Sequence, residues 1–380
     1  MFVFVTPYIL VLMARAEGAQ IGKILAVTAG ILAGIGLCLK PYFFILWIAE
    51  EIYVIAFARC CGWKRPENIV VFLTAGIIGL GFLVFAAEFF ALLPVLIEIY
   101  KDVGVSAFSM LRRYPTVIWL ISSVVLMSCK TESPQGTARF RILLIASTSL
   151  YLSAVLQKKG WFYHYYPFLA VNFLAAFFVF IQLLKSERVK PAYRPYIIKV
   201  VVLIGALLMT AGGIKQLSAG YFDPHRHMLI KFSEVVKNHA KGQPVYFMTS
   251  NVTLPFPVVN YSRTSWPVRF HYLSSLWTAY DKTRYSGRIV QFHTPGQMGR
   301  AERYVFDKVI ADLVKTPPAL IMVDIMPQPT LHMRYFDFMR YFLQDRKFRE
   351  LFKDYYLFEN VDDQLLIYRH TQSRPPPDRS

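Results

Sequence analysis

The sequence predicts a polytopic α-helical membrane protein of about eight spans, followed by a carboxy-terminal mixed α/β domain outside the cytoplasm. Three observations lead to this fold class. Of the 380 residues, 55% are hydrophobic and only 17% are charged, a balance that is unusual for a soluble globular protein. Residues 221–380 carry 22 Lys or Arg and 15 Asp or Glu, whereas long stretches before them carry almost none. Finally, the basic residues of the apolar part concentrate in alternate loops.

Apolar runs close to the length of a membrane span follow one another along the first half of the chain. A bilayer core requires about 20 helical residues, and residues 91–99, which are short and contain Pro94, are therefore expected to form an interfacial or re-entrant helix. The first run is short and lacks the basic segment and cleavage site of a signal peptide, so we expect the chain to start partway through a helix. The predicted spans are residues 1–14, 21–39, 42–58, 68–87, 115–127, 140–156, 167–184 and 196–212.

The distribution of Lys and Arg among these loops predicts the orientation. One alternate set of loops holds thirteen basic residues and the other holds six, and cytoplasmic loops retain positive charge. The loop at Lys40, residues 88–114 and residues 157–166 are therefore predicted to face outward, and the α/β domain with them. We expect a multi-pass protein of the cell (inner) membrane, with the bilayer as a partner. The basic residues of the apolar part sit in short loops that fix the orientation, so the net charge of +18 does not favour nucleic acid as a partner.

The chain divides by composition into a transmembrane domain at residues 1–215, an α/β domain at residues 216–370 and a proline-rich, disordered tail at residues 371–380. The segments PVYFMTS, ALIMVDI, YYLFEN and QLLIYRH are typical of strands, with a tight turn at Asp362 and Asp363 between the last two. The segments HRHMLIKFSEVVKNHA and MGRAERYVFDKVIADLVK have helical periodicity. Asp223 and Pro224 supply a helix start before the first of them.

The segment QKKGWFYHYYPFLA, residues 157–170, places two lysines, a histidine and five aromatic residues between two predicted spans. Lys158 and Lys159 offer charges to a lipid phosphate, and Trp161 and Tyr163 are suited to headgroup depth or to stacking on a sugar. His164 is suited to binding or orienting a polar ligand. By composition alone, the common interpretation of such a segment is an aromatic belt with snorkelling lysines.

The segment LCLKPYFF, residues 37–44, places Lys40 at the predicted outer end of one helix, directly before Pro41. Proline is favoured in the first turn of a helix, so the next span begins here. A lone lysine at such a position usually anchors the helix end. Gly30, Gly34 and Gly36 fall within the preceding span and are expected to allow close helix packing rather than to form a phosphate loop.

No metal site or cofactor is expected from the sequence. His225 and His227 are two residues apart, and neither acidic residues nor cysteines follow them at ligand spacing. The four cysteines lie in or beside the apolar runs. A disulfide framework in the α/β domain is therefore excluded.

The order ILAGIGLCLKPYFF, a long outer loop, QKKGWFYHYYPFLA and an outward α/β domain resembles the membrane glycosyltransferases of the C-type superfamily. The protein O-mannosyltransferases and the lipid A aminoarabinose transferases belong to this superfamily, and the resemblance covers residues 32–369. It implies transfer of a sugar, with inversion, from a polyprenyl-phosphate donor to a glycan, lipid or protein acceptor at the outer face. The substrate-binding residues that the resemblance implies are Lys40, Tyr42, Lys158, Lys159, Trp161, Tyr163 and His164.

The chain departs from this family in its acidic residues. Relatives carry a catalytic aspartate in the first outer loop, whereas the first aspartate here is Asp102. We therefore expect the amino-terminal helix and the first outer loop of the family to be absent, which makes the enzyme incomplete or inactive. Glu88 and Asp102 are the substitute candidates for a general base, although Glu98 and Asp102 are better interpreted as solvated charges on an interfacial helix.

The residues leave two questions open, namely the role of two acidic residues within a span and whether the protein is an enzyme. Glu50 and Glu51 fall within a predicted span, where we expect them to snorkel outward or to pair with Arg59. The alternative to an enzyme is a non-enzymatic membrane protein that uses its outer domain as a binding or assembly module.

Overall fold

The chain forms two compact units. The computed structural model describes residues 1–58, 62–101, 104–129, 134–185, 190–193, 196–200, 210, 224–251, 253–273, 275–280 and 287–372. The first unit, here called the helical unit, comprises Met1–Ala91 and Gly104–Leu203. The second, the α/β unit, comprises Leu92–Val103 and Ile204–Ser380.

The helical unit follows most of the apolar runs of the sequence. Three of its helical stretches are long and apolar enough to cross a membrane, namely Pro66–Phe85, Gly136–Leu156 and Phe162–Lys185. The predicted span at residues 196–212 lies mainly outside the described residues, so the count of eight spans stays a prediction. The helices of this part of the chain are α1 (Phe2–Ala16), α2 (Lys23–Cys38), α3 (Phe44–Ile52), α4 (Pro66–Phe85), α5 (Ala87–Lys101), α6 (Ala107–Leu111), α7 (Tyr114–Ser128), α8 (Pro134–Leu156) and α9 (Tyr166–Lys185).

The predicted span at residues 42–58 is not one regular helix. A short 3₁₀ turn, Pro41–Phe43, precedes α3, and a π-helical turn, Tyr53–Ala58, follows it. Pro41 begins the 3₁₀ turn, because proline lacks the backbone N–H that a helix continuing from α2 would need. The π turn begins two residues after Glu51, and π turns occur frequently at functional positions of helices.

Helices α2 and α4 pack closely because two positions on α2 lack side chains. A Cβ atom added at Gly30 would lie 2.5 Å from the carbonyl oxygen of Glu67, and one added at Gly34 would lie 2.6 Å from Cβ of Thr74. Small residues spaced by four allow helix backbones to approach in this way. The predicted role of these glycines in packing is thereby confirmed.

The α/β unit contains one four-stranded sheet. Its strands are β1 (Val245–Met248), β2 (Leu320–Asp324), β3 (Tyr355–Val361) and β4 (Leu365–His370), in the order β1-β2-β4-β3. Strands β1 and β2 are parallel, and the other pairs are antiparallel. Asp362 and Asp363 join β3 and β4 with positive φ angles of 52° and 51°, the backbone of a type I′ hairpin turn. All four predicted strands and the predicted tight turn are confirmed.

Helices cover both faces of this sheet. They are α10 (Pro224–Ala240), α11 (Pro255–Ser262), α12 (Ser275–Ala279), α13 (Arg300–Lys315), α14 (Phe338–Phe342) and α15 (Arg346–Phe352). Tyr246 and Met248 of β1 enter a core with α13, α14 and α15, while Val245 and Phe247 enter a second core with α10 and α11. Alternate side chains of a strand point to opposite faces, which explains why β1 is buried along its whole length.

The α/β unit also includes Leu92–Val103, which the sequence placed with the transmembrane domain. Val95 and Ile99 of α5 are buried in the core formed with α13. The Glu98 side chain accepts a hydrogen bond from the Ala301 backbone N–H at 3.2 Å, where the exposed N–H groups of α13 favour a carboxylate. The expectation that Glu98 is a solvated charge is therefore wrong, because its carboxylate accepts a hydrogen bond from the first turn of α13.

Candidate functional site

Lys40 and His164 meet in the helical unit, although 124 residues separate them in the chain. Nζ of Lys40 lies 3.3 Å from Nε2 of His164, and it donates a hydrogen bond to Oε1 of Gln157 at 3.3 Å. Gln157 directly follows α8 and is itself held by a bond from its Nε2 to the Ser153 carbonyl. Because the start of α3, the end of α8 and the turn before α9 each supply one residue, the fold fixes the position of the lysine.

Aromatic rings enclose this lysine and histidine. The Tyr163 ring lies 4.5 Å from the His164 ring, centroid to centroid, in an edge-on arrangement, and Trp161 stacks on Tyr163 at 5.8 Å. Nζ of Lys40 lies 5.4 Å from the centroid of Tyr163, within the range of a cation–π contact. Aromatic faces beside a cation suit the apolar face of a sugar ring next to an anionic group.

The loop that carries these residues is held by the segment before α7. The backbone N–H of Val105 donates to the Lys158 carbonyl at 2.7 Å, and the Arg113 guanidinium donates to the Gly160 carbonyl. Gly160 has a φ of +64°, and a Cβ atom there would lie 2.7 Å from Val105. Only glycine fits this tight, left-handed turn. The contacts fix the course of the chain immediately before Trp161 and His164.

The electrostatics of the cluster favour an anion. Among the residues that the structure describes, no carboxylate forms an ion pair with Lys40 or Arg113. Burial lowers the pKa of Lys40, and burial also lowers the pKa of Lys159, because each ammonium group is partly removed from water. Two polar atoms nearby, Nδ1 of His164 and the hydroxyl of Tyr165, are buried without a hydrogen-bond partner. A phosphate would supply the negative charge that the Lys40 ammonium group lacks.

The predicted substrate-binding residues divide into two groups. Lys40, Trp161, Tyr163 and His164 form the cluster itself. The other three, Tyr42, Lys158 and Lys159, lie in the same two segments, but the side chains of Tyr42 and Lys158 are exposed. The backbone of Tyr42 has a clear role, since its carbonyl accepts a hydrogen bond from the Ser153 hydroxyl at 2.7 Å.

The substitute candidates for a general base are not joined to this cluster by any described contact. Glu88 is exposed in the first turn of α5, and Asp102 lies outside the described residues. Gln157 and Arg113 contribute to the site although neither was predicted from the sequence as a site residue. Gln157 is the first residue of the QKKGWFYHYY segment, so its position beside the predicted site residues could have identified it. The Arg113 contact joins residues that are 47 apart in the chain, and no local sequence pattern indicates it.

An apolar groove runs between α7 and α9 in the same unit. Its volume is about 390 Å³. Helix α9 begins directly after the His164 turn, and α7 begins directly after Arg113. Each wall of the groove is therefore a helix that starts at a segment which forms or holds the Lys40 and His164 site. A flexible hydrocarbon chain suits a groove of this composition. Its lining includes Ile118, Ile121, Val125, Ala175, Val179 and Phe180.

Glu50 and Glu51 belong to a different cluster of the helical unit. Both are buried, and Glu51 pairs with Arg65, whereas Arg59, the predicted partner, lies outside the described residues. The expectation that they snorkel outward is therefore wrong. Helix α3 is too short, and packs too closely on α8, to bring these carboxylates to an interface.

The described residues contain no group of three or more His, Cys, Asp or Glu arranged to hold a metal ion, and the His225 and His227 side chains lie outside them. No protein-family model matches the chain, and no curated protein matches it significantly.

Proposed function

We propose that this protein is a polyprenyl-phosphate-dependent glycosyltransferase homologue that binds its lipid-linked sugar donor at the Lys40 cluster, defined as Lys40, Gln157, Trp161, Tyr163 and His164. One observation carries the proposal. Lys40 has no carboxylate partner among the described residues, and it contacts an imidazole and an amide contributed by a distant part of the chain. A partly buried cation without a counter-ion is costly unless a ligand supplies the negative charge.

The chemistry of a polyprenyl-phosphate sugar matches the surroundings of this cluster. Its phosphate would pair with Lys40, its sugar would stack against Trp161 and Tyr163, and its isoprenoid chain would lie in the apolar groove between α7 and α9. Stabilising the charge of the departing phosphate is also what glycosyl transfer from such a donor requires. The acceptor would be a glycan, a lipid or a protein.

The proposal includes a membrane topology. We place about eight spans in the cell (inner) membrane, with the Lys40 cluster and the α/β unit on the outer face. Three described helices of spanning length and the excess of basic residues in the opposite loops support this arrangement. Polyprenyl-phosphate donors are available to an enzyme only where its site opens to the lipid headgroups.

The test is binding of undecaprenyl phosphate to the purified full-length protein in lipid nanodiscs, followed by tryptophan fluorescence. A Trp161→Phe variant assigns the signal to the cluster. We expect Lys40→Met to weaken binding by about tenfold or more, because a charge-assisted contact contributes about 1.5–3 kcal/mol. Lys158→Met is the matched control, since its side chain is exposed, and it should change the affinity much less.

Uncharged undecaprenol separates recognition of the phosphate from recognition of the hydrocarbon chain. Wild type should prefer the phosphate, and Lys40→Met should bind both lipids alike. Equal binding of both lipids by wild type, or unchanged phosphate binding by Lys40→Met, would refute the proposed donor site. Transfer to glycan, lipid or protein acceptors is then measured separately, because donor binding alone does not establish sugar transfer.

The absence of a described carboxylate at the cluster favours one second function. A protein that binds the lipid-linked donor without transferring the sugar needs the cation and the aromatic rings but no general base. In that case the α/β unit would serve as a binding or assembly module. Donor binding with no transfer to any glycan, lipid or protein acceptor would support this second function.

A further inference from the structure

Glu50 is a fully buried carboxyl group in the core of the helical unit. Its exposed fraction is 0%, and neither of its carboxyl oxygens has a hydrogen-bond partner. It lies in the last turn of α3, directly before the π turn that continues the helical backbone. On α8, the peptide group of Ala146 faces it without reaching hydrogen-bond geometry.

The charged residues around Glu50 are already matched with one another. Glu51 accepts hydrogen bonds from the Arg65 guanidinium and from the Tyr8 hydroxyl. Arg15 forms two hydrogen bonds with Glu67, at 2.7 and 3.0 Å. Arg65 also approaches Glu67 at 3.8 Å. Each guanidinium thus has its own carboxylate.

The charge of this cluster does not balance if every member is ionised. Among the residues that the structure describes, the carboxylates of Glu51 and Glu67 match the guanidinium groups of Arg65 and Arg15, so an ionised Glu50 would add a negative charge that no described ion pair offsets. The surplus falls on Glu50, because it alone of the three carboxyl groups has no partner. The groups that act on it are Glu51 from its own helix, Tyr8 from α1 and the Ala146 peptide from α8. None of them supplies a positive charge.

We propose that Glu50 is a proton-binding site, and that it holds its proton in the helical core at neutral pH. Transfer of an isolated, ionised carboxylate from water to an apolar interior is far more costly than transfer of the neutral acid. A bound proton removes the surplus charge and leaves the two Arg–Glu pairs intact. This site is separate from the Lys40 cluster and does not depend on the proposed glycosyl donor.

A protonated carboxyl group in apolar surroundings is a target for dicyclohexylcarbodiimide, and this reagent provides the test. The acid proton moves to a carbodiimide nitrogen while a carboxyl oxygen bonds to the central carbon. The resulting O-acylisourea rearranges to a stable N-acylurea, so no group leaves and no oxidant is needed. An ionised carboxylate lacks the proton for the first step.

The purified full-length protein in detergent is treated at neutral pH, and the adduct is located by peptide mass spectrometry. We expect the adduct on Glu50 and none on Glu51 or Glu67. Glu50→Gln should abolish the adduct, while Lys40→Met should leave it unchanged. If Glu50 stays unmodified while Glu51 or Glu67 is modified, the assignment of the proton to Glu50 is wrong.

Infrared difference spectroscopy covers the case in which the reagent does not reach the core. A neutral carboxylic acid gives a C=O band that a carboxylate lacks, and Glu50→Gln should remove one such band at neutral pH. The absence of that difference would overturn the proposal. So would a loss of the band, or of labelling, when sodium replaces choline at constant pH and ionic strength, because the site would then hold a cation instead of a proton.

Discussion

The two units treat their buried polar groups in opposite ways. In the α/β unit, Asp324 at the end of β2 accepts hydrogen bonds from the Thr249 hydroxyl at 2.7 Å and from the Met326 N–H at 2.9 Å. Gln328 bonds to Ser250 beside it. No described residue of this unit has a buried side-chain nitrogen or oxygen without a partner. The polar groups here hold the loops after β1 and β2 together.

In the helical unit, by contrast, Glu50, His164 and Tyr165 all have buried polar atoms without partners. Such atoms are rare in native proteins, and each of them calls for a specific explanation. This difference between the two units indicates which buried polar groups take part in function. A closed network, such as that of Asp324, is explained by stability, whereas an open one indicates that a ligand or a proton completes it.

The largest expected effect is on a closed network of the α/β unit. Glu302 is 2% exposed, and it accepts hydrogen bonds from Tyr280 at 2.7 Å and Tyr341 at 3.2 Å, beside His293 at 2.7 Å. We expect Glu302→Ala to lower the opening free energy of this unit by about 3 kcal/mol, because two buried hydroxyl groups lose their acceptor. The measurement is hydrogen exchange of the β1 and β2 amides in the full-length protein.

Glu350→Ala is the control for this change, because Glu350 forms an exposed pair with Lys353. Exposed pairs contribute about 0–1 kcal/mol, so exchange should hardly change. Glu50→Gln should likewise leave the fold intact, since the amide replaces a neutral acid of the same shape. If Glu302→Ala proves no more harmful than Glu350→Ala, the distinction between closed and open networks fails.

Much of this fold follows from local sequence pattern. The strands of the α/β unit were predictable because their apolar runs end at turn residues, and Asp362 with Asp363 occupies the positive-φ positions that a two-residue hairpin requires. That Lys40 and the His164 segment are neighbours could be predicted only from the assumed membrane topology, which places both at the outer face. Their contact through Gln157 depends on the end of α8, which helical periodicity locates to within a few residues.

The remaining features depend on contacts between distant residues. Glu98 looked like a solvated charge because its acceptor role depends on Ala301, 203 residues later. Glu51 pairs with Arg65 across the π turn, and no local sequence pattern indicates that partner. The assignment of Leu92–Val103 to the α/β unit could not be predicted from the sequence either, since Val95 and Ile99 are apolar enough for either a membrane interface or a protein core.

The second expected effect tests how the helical unit is held together. A Cβ atom at Gly30 would lie 2.5 Å from the Glu67 carbonyl oxygen, so Gly30→Ala must push α2 and α4 apart. We expect a loss of about 1–3 kcal/mol, typical of overpacking, seen as a lower thermal transition midpoint in detergent. The separation would also disturb the Arg15–Glu67 pair.

Gly76→Ala on α4 is the matched control, because nothing lies within 4 Å of its added Cβ atom. Alanine favours a helix over glycine by up to about 1 kcal/mol, so this variant should be as stable as wild type or more stable. Equal loss in both variants would show that the close approach of α2 and α4 at Gly30 is not the cause of the effect.

The smallest expected effect concerns the pH dependence of a closed contact in the α/β unit. Asp312 on α13 accepts hydrogen bonds from the Arg269 side chain at 2.7 and 2.9 Å and from the Arg269 N–H at 3.0 Å. The hydrogen bonds from Arg269 lower the pKa of Asp312 despite its burial. The stabilisation is therefore present above the unfolded pKa of about 3.9, and it is lost as the pH falls through the lower folded pKa.

We expect Asp312→Asn to reduce the opening free energy of α13 by about 1 kcal/mol at neutral pH, a modest value because the Arg269 side chain is 47% exposed. The variant and wild type should converge as the pH is lowered, since a protonated aspartate resembles asparagine. Hydrogen exchange of the α13 amides, corrected for intrinsic rates, measures this. Asp307→Asn, which removes an exposed pair with Arg303, should follow wild type throughout, and a pH-independent deficit in Asp312→Asn would show that packing rather than charge holds Arg269 to α13.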